Sequence, residues 1–283
     1  KMKWNDGAPV VEPFHSQRLV DELGPMRGKD EEMTQRHDNI AKSLQVVTEE
    51  IIIHLLNRLH EKTKSDNLCM TGGVAMNSVA NEKITSPPPL KEVYIPGGAA
   101  DNGTSFGAAF YVWNRILGNS RSFVQDHAYW GFESHDEEAV NAAEDAGVPF
   151  ERLAPSELVD SVSDLLIDGK VVGWFQGKME FGARALGNRS LLADPRRTDM
   201  RDIINLRIKY REKFRPFAPS ILEEHVNEWF EVAEPTPYME KVFPIRPDKH
   251  SVIPAVTHVD GTGRLQTVSR KSNPLYHSLI SRF

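Results

Sequence analysis

The sequence predicts a mixed α/β protein. Segments with apolar residues at helical spacing alternate with short apolar runs, the second half keeps no strict strand–helix–strand order, and no internal repeat is visible. At 283 residues the chain is long enough for one large domain or two ordinary ones. Its hydrophobic share of 40% and charged share of 26% fit a folded globular chain. A net charge of -6 argues against a general nucleic-acid or membrane-surface binder. The single Cys69 excludes a disulfide framework within the chain and suits a reducing cytoplasm. No apolar run approaches the roughly 18 residues a spanning helix needs, and no signal peptide is visible. The chain opens on Lys1-Met2-Lys3-Trp4 within a polar passage and stops at Phe283 inside a helical pattern, so it reads as a piece of a longer protein.

Residues 1–37 are polar, rich in Pro, Gly and charge, and predict mostly loop with a short helix near 17–22. Asp38 is the expected cap of a long amphipathic helix on which Ile40, Leu44, Val47, Ile51, Leu55 and Leu59 recur at helical spacing. His54 and His60 lie on it six residues apart, which does not put two ligands on one face. A short buried strand at 67–71 runs into Gly72-Gly73 and a helix from Val74 to about Lys83. A strand, two glycines and a helix start can hold a nucleotide, because backbone N–H groups face the ligand and the glycines let it approach. The same pair also makes ordinary turns. Ser86-Pro87-Pro88-Pro89 reads as a rigid surface connection, and 91–95 as a strand with Val93 and Ile95 inward. It ends near Asp101, ahead of a helix carrying Phe106, Phe110 and Trp113 on one face. Asp101 is either a helix cap or a ligand for a hard divalent cation.

Residues 119–155 are the expected boundary: Gly118, Asn119, Ser120 and Ser122 loosen the chain, and 137–146 is an acidic helical stretch. Ser156 then caps a helix bearing Leu158, Val162, Leu165 and Leu166, stopped by Gly169. Further on, Thr198-Asp199 opens a short helix, 217–222 reads as a strand, 223–232 as a helix, and 255–259 and 265–268 as strands. Asn273 and Pro274 open a final helix.

The stretch 173–196 is the most informative. It leaves an apolar strand through Gln176-Gly177, sets Lys178, Arg184 and Arg189 among Gly182, Ala183, Ala185 and Gly187, and returns through Leu191-Leu192-Ala193. Surface charge is usually carried on helices beside acids, whereas small residues let a backbone approach a ligand and Arg and Lys take phosphate. A second basic group, Lys209-Tyr210-Arg211-Glu212-Lys213-Phe214-Arg215, and a lone Arg264 complete the set. The spacing points to a polyphosphate or acyl-phosphate pocket; arginines satisfying loop carbonyls are the alternative.

GKMEFGARALGNRSLLADPR followed by KYREKFRPFAPSIL resembles the C-terminal part of the O-carbamoyltransferases that modify nodulation factors and cephamycin-type and aminoglycoside (tobramycin-type) antibiotics. The resemblance extends upstream through MTGGVAMNSVANEKI and KEVYIP…DNGTSFGAA, over most of the chain. It implies the C-terminal part of a Kae1-like domain, of the actin–sugar kinase–Hsp70 group, over 38–118. An incomplete YrdC-like α/β domain would follow over 156–283. The implied reaction is ATP-dependent carbamoyl transfer from carbamoyl phosphate, through a carbamoyl adenylate, to a hydroxyl of a sugar or antibiotic-like acceptor. ATP, carbamoyl phosphate and a divalent metal, iron or magnesium, would be required. Lys178, Arg184, Arg189, Lys213, Arg215 and Arg264 would face the phosphates, Gly72, Gly73, Asn77 and Gly103 would hold the adenylate, and Asp101 the metal. The family's HxxxH metal motif occurs nowhere in this chain. Expected partners are a small hydroxyl acceptor and no nucleic acid or membrane, in the cytoplasm, with a homodimer left open. A threonylcarbamoyl-adenylate enzyme of tRNA modification and a nucleotide-binding module without turnover remain as alternatives.

Overall fold

The computed structural model describes residues 2–11, 15–28, 30–84, 90–231 and 234–283. The proline connection at 86–89 lies outside them, as does Val232. The chain is mixed α/β, as expected, and packs as two compact units, residues 1–58 and 59–283.

In the first unit, β1 (Met2–Asn5) and β2 (Ala8–Val11) form an antiparallel hairpin where mostly loop was expected. The turn is Asp6-Gly7, with φ of 49° and 77°, a pairing that matches the right-handed twist of the flanking strands. Helix α1 (Gln17–Leu23) starts at Ser16, whose hydroxyl accepts from the Leu19 amide at 3.3 Å. Helix α2 (Gln35–Thr63) begins earlier than Asp38, because the Thr34 carbonyl already accepts from the His37 and Asp38 amides. The unit boundary falls within α2, after Arg58. Of the α2 residues only Glu49 is buried, so the apolar stripe Leu44, Val47, Ile51 and Leu55 remains exposed.

In the second unit β3 (Asn67–Cys69) pairs in parallel with β4 (Glu92–Tyr94), Leu68 opposite Val93. Both strands have exposed ends, so β3 is not the buried strand expected. The helix expected from Val74 is interrupted: Gly73–Met76 is a 3-10 turn and α3 (Ser78–Ile84) follows. Asn77 causes the break by accepting from the Ala80 amide at 3.1 Å, which caps α3 afresh. Helix α4 (Thr104–Phe110) continues as a π-helical segment, Tyr111–Ile116, and α5 is Asp136–Asp145. Residues 128–132, within the expected linker, are packed against the second half. The Phe181 amide donates to the Ala128 carbonyl at 2.7 Å, and the Tyr129 hydroxyl to the Leu186 carbonyl at 2.9 Å.

Helix α6 (Pro155–Ile167) carries Pro155 at its first position and Ser156 inside it; the Ala154 amide donates to Glu157 at 3.0 Å. Strands β5 (Val172–Phe175) and β6 (Arg189–Leu192) are antiparallel, α7 is Met200–Ile203, and β7 (Ser220–Leu222) leads to the short α8 (Val226–Trp229) in place of a longer helix over 223–232. Strand β8 (Val242–Pro244) pairs with β9 (Thr262–Arg264), and β10 (Gln266–Val268) with β7. Residues 255–259 turn instead of forming the expected strand, since the Ala255 amide goes to Pro195 and that of Val256 to Ile253. Helix α9 (Pro274–Arg282) is capped by Asn273, as expected. One core gathers Phe230, Ile245 and Leu265; a second packs Val162 and Leu166 of α6 against Trp174, Tyr276 and Leu279. No helix among the described residues is long and apolar enough to cross a membrane.

Asn81, fully buried, donates to the Ala75 carbonyl at 2.7 Å and to the Glu240 carbonyl at 2.8 Å, tying the glycine turn to the chain ahead of β8. Burial pushes the neighbouring Glu240 carboxyl up to about 7, against the opposing pull of its own amide, Lys241 and the Tyr238 amide. A raised folded-state value means that stability is fully present below the unfolded carboxyl's titration and is lost as pH rises through about 7. Urea unfolding at pH 5 and pH 8 should therefore show the wild type losing more stability than Glu240→Gln over that interval. The excess should be a few kcal/mol at most, since folding that displaces a titration by one pH unit is worth about 1.4 kcal/mol. Equal losses in both proteins would remove Glu240 as the source.

Candidate functional site

The basic stretch between β5 and β6 is held by a carboxylate. Glu180 Oε1 accepts from the amides of Leu186 at 2.6 Å, Asn188 at 2.9 Å and Arg189 at 3.3 Å, so the loop folds around one side chain. Amides complete the frame: Asn188 Nδ2 donates to the Lys178 carbonyl at 2.6 Å, Gln176 Nε2 to that of Gly187 at 2.8 Å, and Gln266 Nε2 to that of Leu186 at 2.7 Å. The expected cations then divide into two groups.

Arg189 is spent on structure. Its guanidinium donates to the carbonyls of Gln176, Asn188 and Gly177 and stacks 3.5 Å over the Phe175 ring. Lys178 lies half exposed 3.8 Å from Glu133, and Lys213, largely exposed, 4.0 Å from Asp202. None of the three lines the cavity that the others share.

Arg184, Arg215 and Arg264 line one open cavity of about 1010 Å³, together with Arg211. Arg215 pairs with Glu212 at 2.8 Å. Among the described residues Arg184, Arg211 and Arg264 have no carboxylate partner: Arg184 donates to the Met76 carbonyl at 3.2 Å and Arg211 to Asn205 Oδ1 at 2.7 Å. Arg264 Nε is buried with no hydrogen-bond partner there. Burial, then the charges of Arg184 and Arg211, push the Arg264 guanidinium down to about 10, so at neutral pH it remains a cation. Burial lowers Arg184 too. Arg184 and Arg211 repel Arg264 across this partly desolvated wall, with Glu212 attracting Arg211, and an arriving polyanion would relieve the repulsion. Arg211 belongs to the second basic group, yet nothing in that group singles it out. Neither its spacing nor its residue type separates it from Arg207, which does not line the cavity.

The glycine turn adjoins this wall through the Arg184–Met76 bond. Gly72 has φ of 101°, Gly72 and Gly73 are exposed, and a Cβ at either would meet nothing, so a ligand could come close to this backbone. Asn77 is half buried and caps α3. Gly103 serves packing: a Cβ there would lie 1.9 Å from the Gly98 carbonyl oxygen. Asp101 is exposed at the start of the turn Asp101–Gly103 and caps nothing, since the cap positions are Ala100 and Gly103. No group of three His, Cys, Asp or Glu able to hold a metal occurs among the described residues.

Comparison with known proteins matches two family models: Carbamoyltransferase N-terminus over residues 2–110 and Carbamoyltransferase C-terminus over 163–283. An uncharacterised Synechocystis protein is 39% identical over 295 residues, covering 95% of this chain and 48% of its own length. Nodulation protein NolO of Bradyrhizobium diazoefficiens is 39% identical over 275 residues, covering 93% and 50%. The 3'-hydroxymethylcephem-O-carbamoyltransferase of Streptomyces clavuligerus is 33% identical over 216 residues, covering 76% and 39%. The chain therefore spans about half the length, or less, of these relatives. With both matches in the order of the chain and relatives 39% identical over more than nine-tenths of it, the chain belongs to the carbamoyltransferase family.

Proposed function

We propose that this chain supplies the phosphate-handling part of an ATP-dependent O-carbamoyltransferase. The observation that carries it is the partly buried guanidinium set Arg184, Arg211 and Arg264, none of which has a carboxylate ion-pair partner among the described residues. Carbamoyl phosphate and the phosphates of ATP are crowded anions that repel each other, and fixed cations screen that repulsion before reaction. Once water has taken its phosphoryl group, a carbamoyl oxygen attacks the α-phosphorus of ATP, and pyrophosphate leaves. Charge grows on the leaving oxygens, where guanidiniums already in place stabilise the transition state more than the ground state. The acceptor hydroxyl then attacks the carbamoyl carbon and AMP departs. Gly72, Gly73 and Asn77 would seat the adenylate beside this wall. A hydroxyl acceptor is suggested by the cephem relative, whose name states O-carbamoyl transfer to a hydroxymethyl group. Assignment of residues 38–118 to the C-terminal part of a Kae1-like domain and 156–283 to an incomplete YrdC-like one is part of the same reading.

Pyrophosphate release by the full-length protein with ATP and carbamoyl phosphate tests it. Arg184→Ala and Arg264→Ala should each lower the rate by about 10²–10³, the effect of losing one preorganised donor, with circular dichroism unchanged. Arg189→Ala should instead cost about 2 kcal/mol of stability, through carbonyls left unpaired, and leave the folded enzyme within a few-fold of wild type. A folded Arg264→Ala variant releasing pyrophosphate at the wild-type rate would exclude the cavity from the reaction.

No group of three His, Cys, Asp or Glu able to hold a metal by itself occurs among the described residues. One exposed carboxylate, Asp101, is a single donor of the kind a hard cation uses. If it is one ligand of a site completed by groups outside the described residues, Asp101→Ala in the full-length protein should lower the bound-metal stoichiometry measured by elemental analysis. Unchanged metal content would leave Asp101 as a turn residue.

A further inference from the structure

Helix α4 and the π-helical segment after it, Tyr111–Ile116, border a second cavity of about 610 Å³, separate in its lining from the cation wall. The chain builds it by turning back on its own helix. The Leu117 amide donates to the Val112 carbonyl at 2.9 Å, five residues back, which closes the wide turn of the π segment. Gly118, at φ 72°, then reverses the chain, and the Asn119 amide returns to the Trp113 carbonyl at 3.2 Å. Asn114 fixes the reversal, its Nδ2 donating to the carbonyls of Asn119 and Ser120 at 3.2 Å each. Residues 120–123 thus return along the helix, and the Phe123 ring centre comes to rest 5.5 Å from that of Phe110.

The lining divides by chemistry. Phe110, Tyr111, Trp113 and Phe123 bring rings to it, and all four are exposed. Arg115, Arg121, Ser120 and Ser122 stand between them, and their side chains have no hydrogen-bond or ion-pair partner among the described residues. No Asp or Glu among those residues lines the cavity, so the two guanidiniums leave a local positive field that suits an anion. Rings left in water forfeit the gain of burying their apolar area, and a ring-shaped ligand laid against them recovers it. A guanidinium fork takes a planar carboxylate through two parallel hydrogen bonds. Serine hydroxyls both donate and accept, as the hydroxyls of a sugar require.

We infer that this cavity holds the acceptor, a sugar ring bearing a carboxylate, with the ring against the aromatic side chains and the carboxylate on Arg115 and Arg121. Its size is that of a small-molecule site, a few apolar walls with polar groups set among them. Its place favours the acceptor too. Helix α4 leaves the turn Asp101–Gly103, which packs on the Gly98 carbonyl, and the next carbonyl, that of Ala99, accepts from the Gly72 amide at 2.7 Å. Phe110 lies seven residues beyond Gly103, about 10 Å along a helix axis. The cavity therefore opens close to the glycine turn that would seat the adenylate, where an acceptor hydroxyl is needed.

The inference rests on the reading that this chain serves a hydroxyl acceptor, but its test needs no turnover. Binding to the full-length protein, without ATP or carbamoyl phosphate, is followed by saturation-transfer NMR with glucuronate, glucose and lactate. Glucuronate should bind about tenfold more tightly than either of the others, since glucose lacks the carboxylate and lactate the ring. Trp113→Ala and Arg121→Gln, both at exposed positions, should each weaken glucuronate about tenfold with circular dichroism unchanged. Arg264→Ala, in the other cavity, should leave glucuronate binding within about twofold. No glucuronate binding, or equal affinity for the three probes, overturns the inference. So does a glucuronate affinity that survives both Trp113→Ala and Arg121→Gln, or that Arg264→Ala removes, because the ligand then sits elsewhere. AMP bound more tightly than glucuronate and lost in Trp113→Ala overturns the sugar in favour of a nucleotide. A protein that binds glucuronate as expected and yet releases no pyrophosphate from ATP and carbamoyl phosphate would leave this cavity standing and overturn only the reaction read from the cation wall.

Discussion

The Glu180 carboxylate is the constraint on which the rest of the site depends. Three amides of one loop, those of Leu186, Asn188 and Arg189, converge on a single oxygen of it. A carboxylate with three amide donors is a strong local centre, and it bends the backbone so that Arg184 and Arg189 leave in different directions. Arg189 turns back onto the carbonyls of Gln176 and Gly177, and Arg184 projects into the cavity towards Met76. The loop's outer surface is then fixed from behind by the side-chain amides of Gln176, Gln266 and Asn273, each with a buried partner. Such a network specifies one geometry because a half-satisfied version would leave polar atoms buried and unpaired.

That rigidity carries a cost, since Arg184 and Arg211 repel Arg264 in partly desolvated space. The cores on either side supply the opposing stability. Phe230, Ile245 and Leu265 lie on one flank, and the packing of α6 and α9 around Trp174 on the other. Hydrophobic burial holds in place a backbone on which these cations repel one another. The glycine turn joins the same frame at two points, through Arg184 to Met76 and through Asn81 to both Ala75 and Glu240. Those bonds set an exposed, side-chain-free backbone next to the cation wall.

Much of the fold is legible in the sequence where local signals are strong. Periodicity locates α2 and α6, and the Asn273-Pro274 start of α9 can be read to the residue because cap chemistry is local. Where longer-range partners decide, the sequence misleads. The first hairpin falls in a passage whose composition suggests loop, although Asp6-Gly7 announces a turn; residues 255–259 look like a strand but give their amides to Pro195 and Ile253. The apolar stripe of α2 tells where the helix runs and not what covers it, for in the described residues that stripe stays exposed. Residues 128–132 read as part of a linker because composition reports looseness, while their backbone bonds to Met179 and Phe181 arise from chain some 50 residues away.

By itself the sequence determined the family, the basic stretches and the mixed α/β class, because an order of small and cationic residues is a property of the chain alone. It could not say which cations share a wall. Lys178, Arg184 and Arg189 are equivalent along the chain, and only the fold around Glu180 makes one a cavity-lining group, one a structural tie and one a half-exposed partner of Glu133. It could not single out Arg211 either, since its place beside Arg264, more than fifty residues on, comes from the fold. Charge is written in the residue, but desolvation and the absence of a counter-charge are properties of the packed neighbourhood, and those were decided by the tertiary structure.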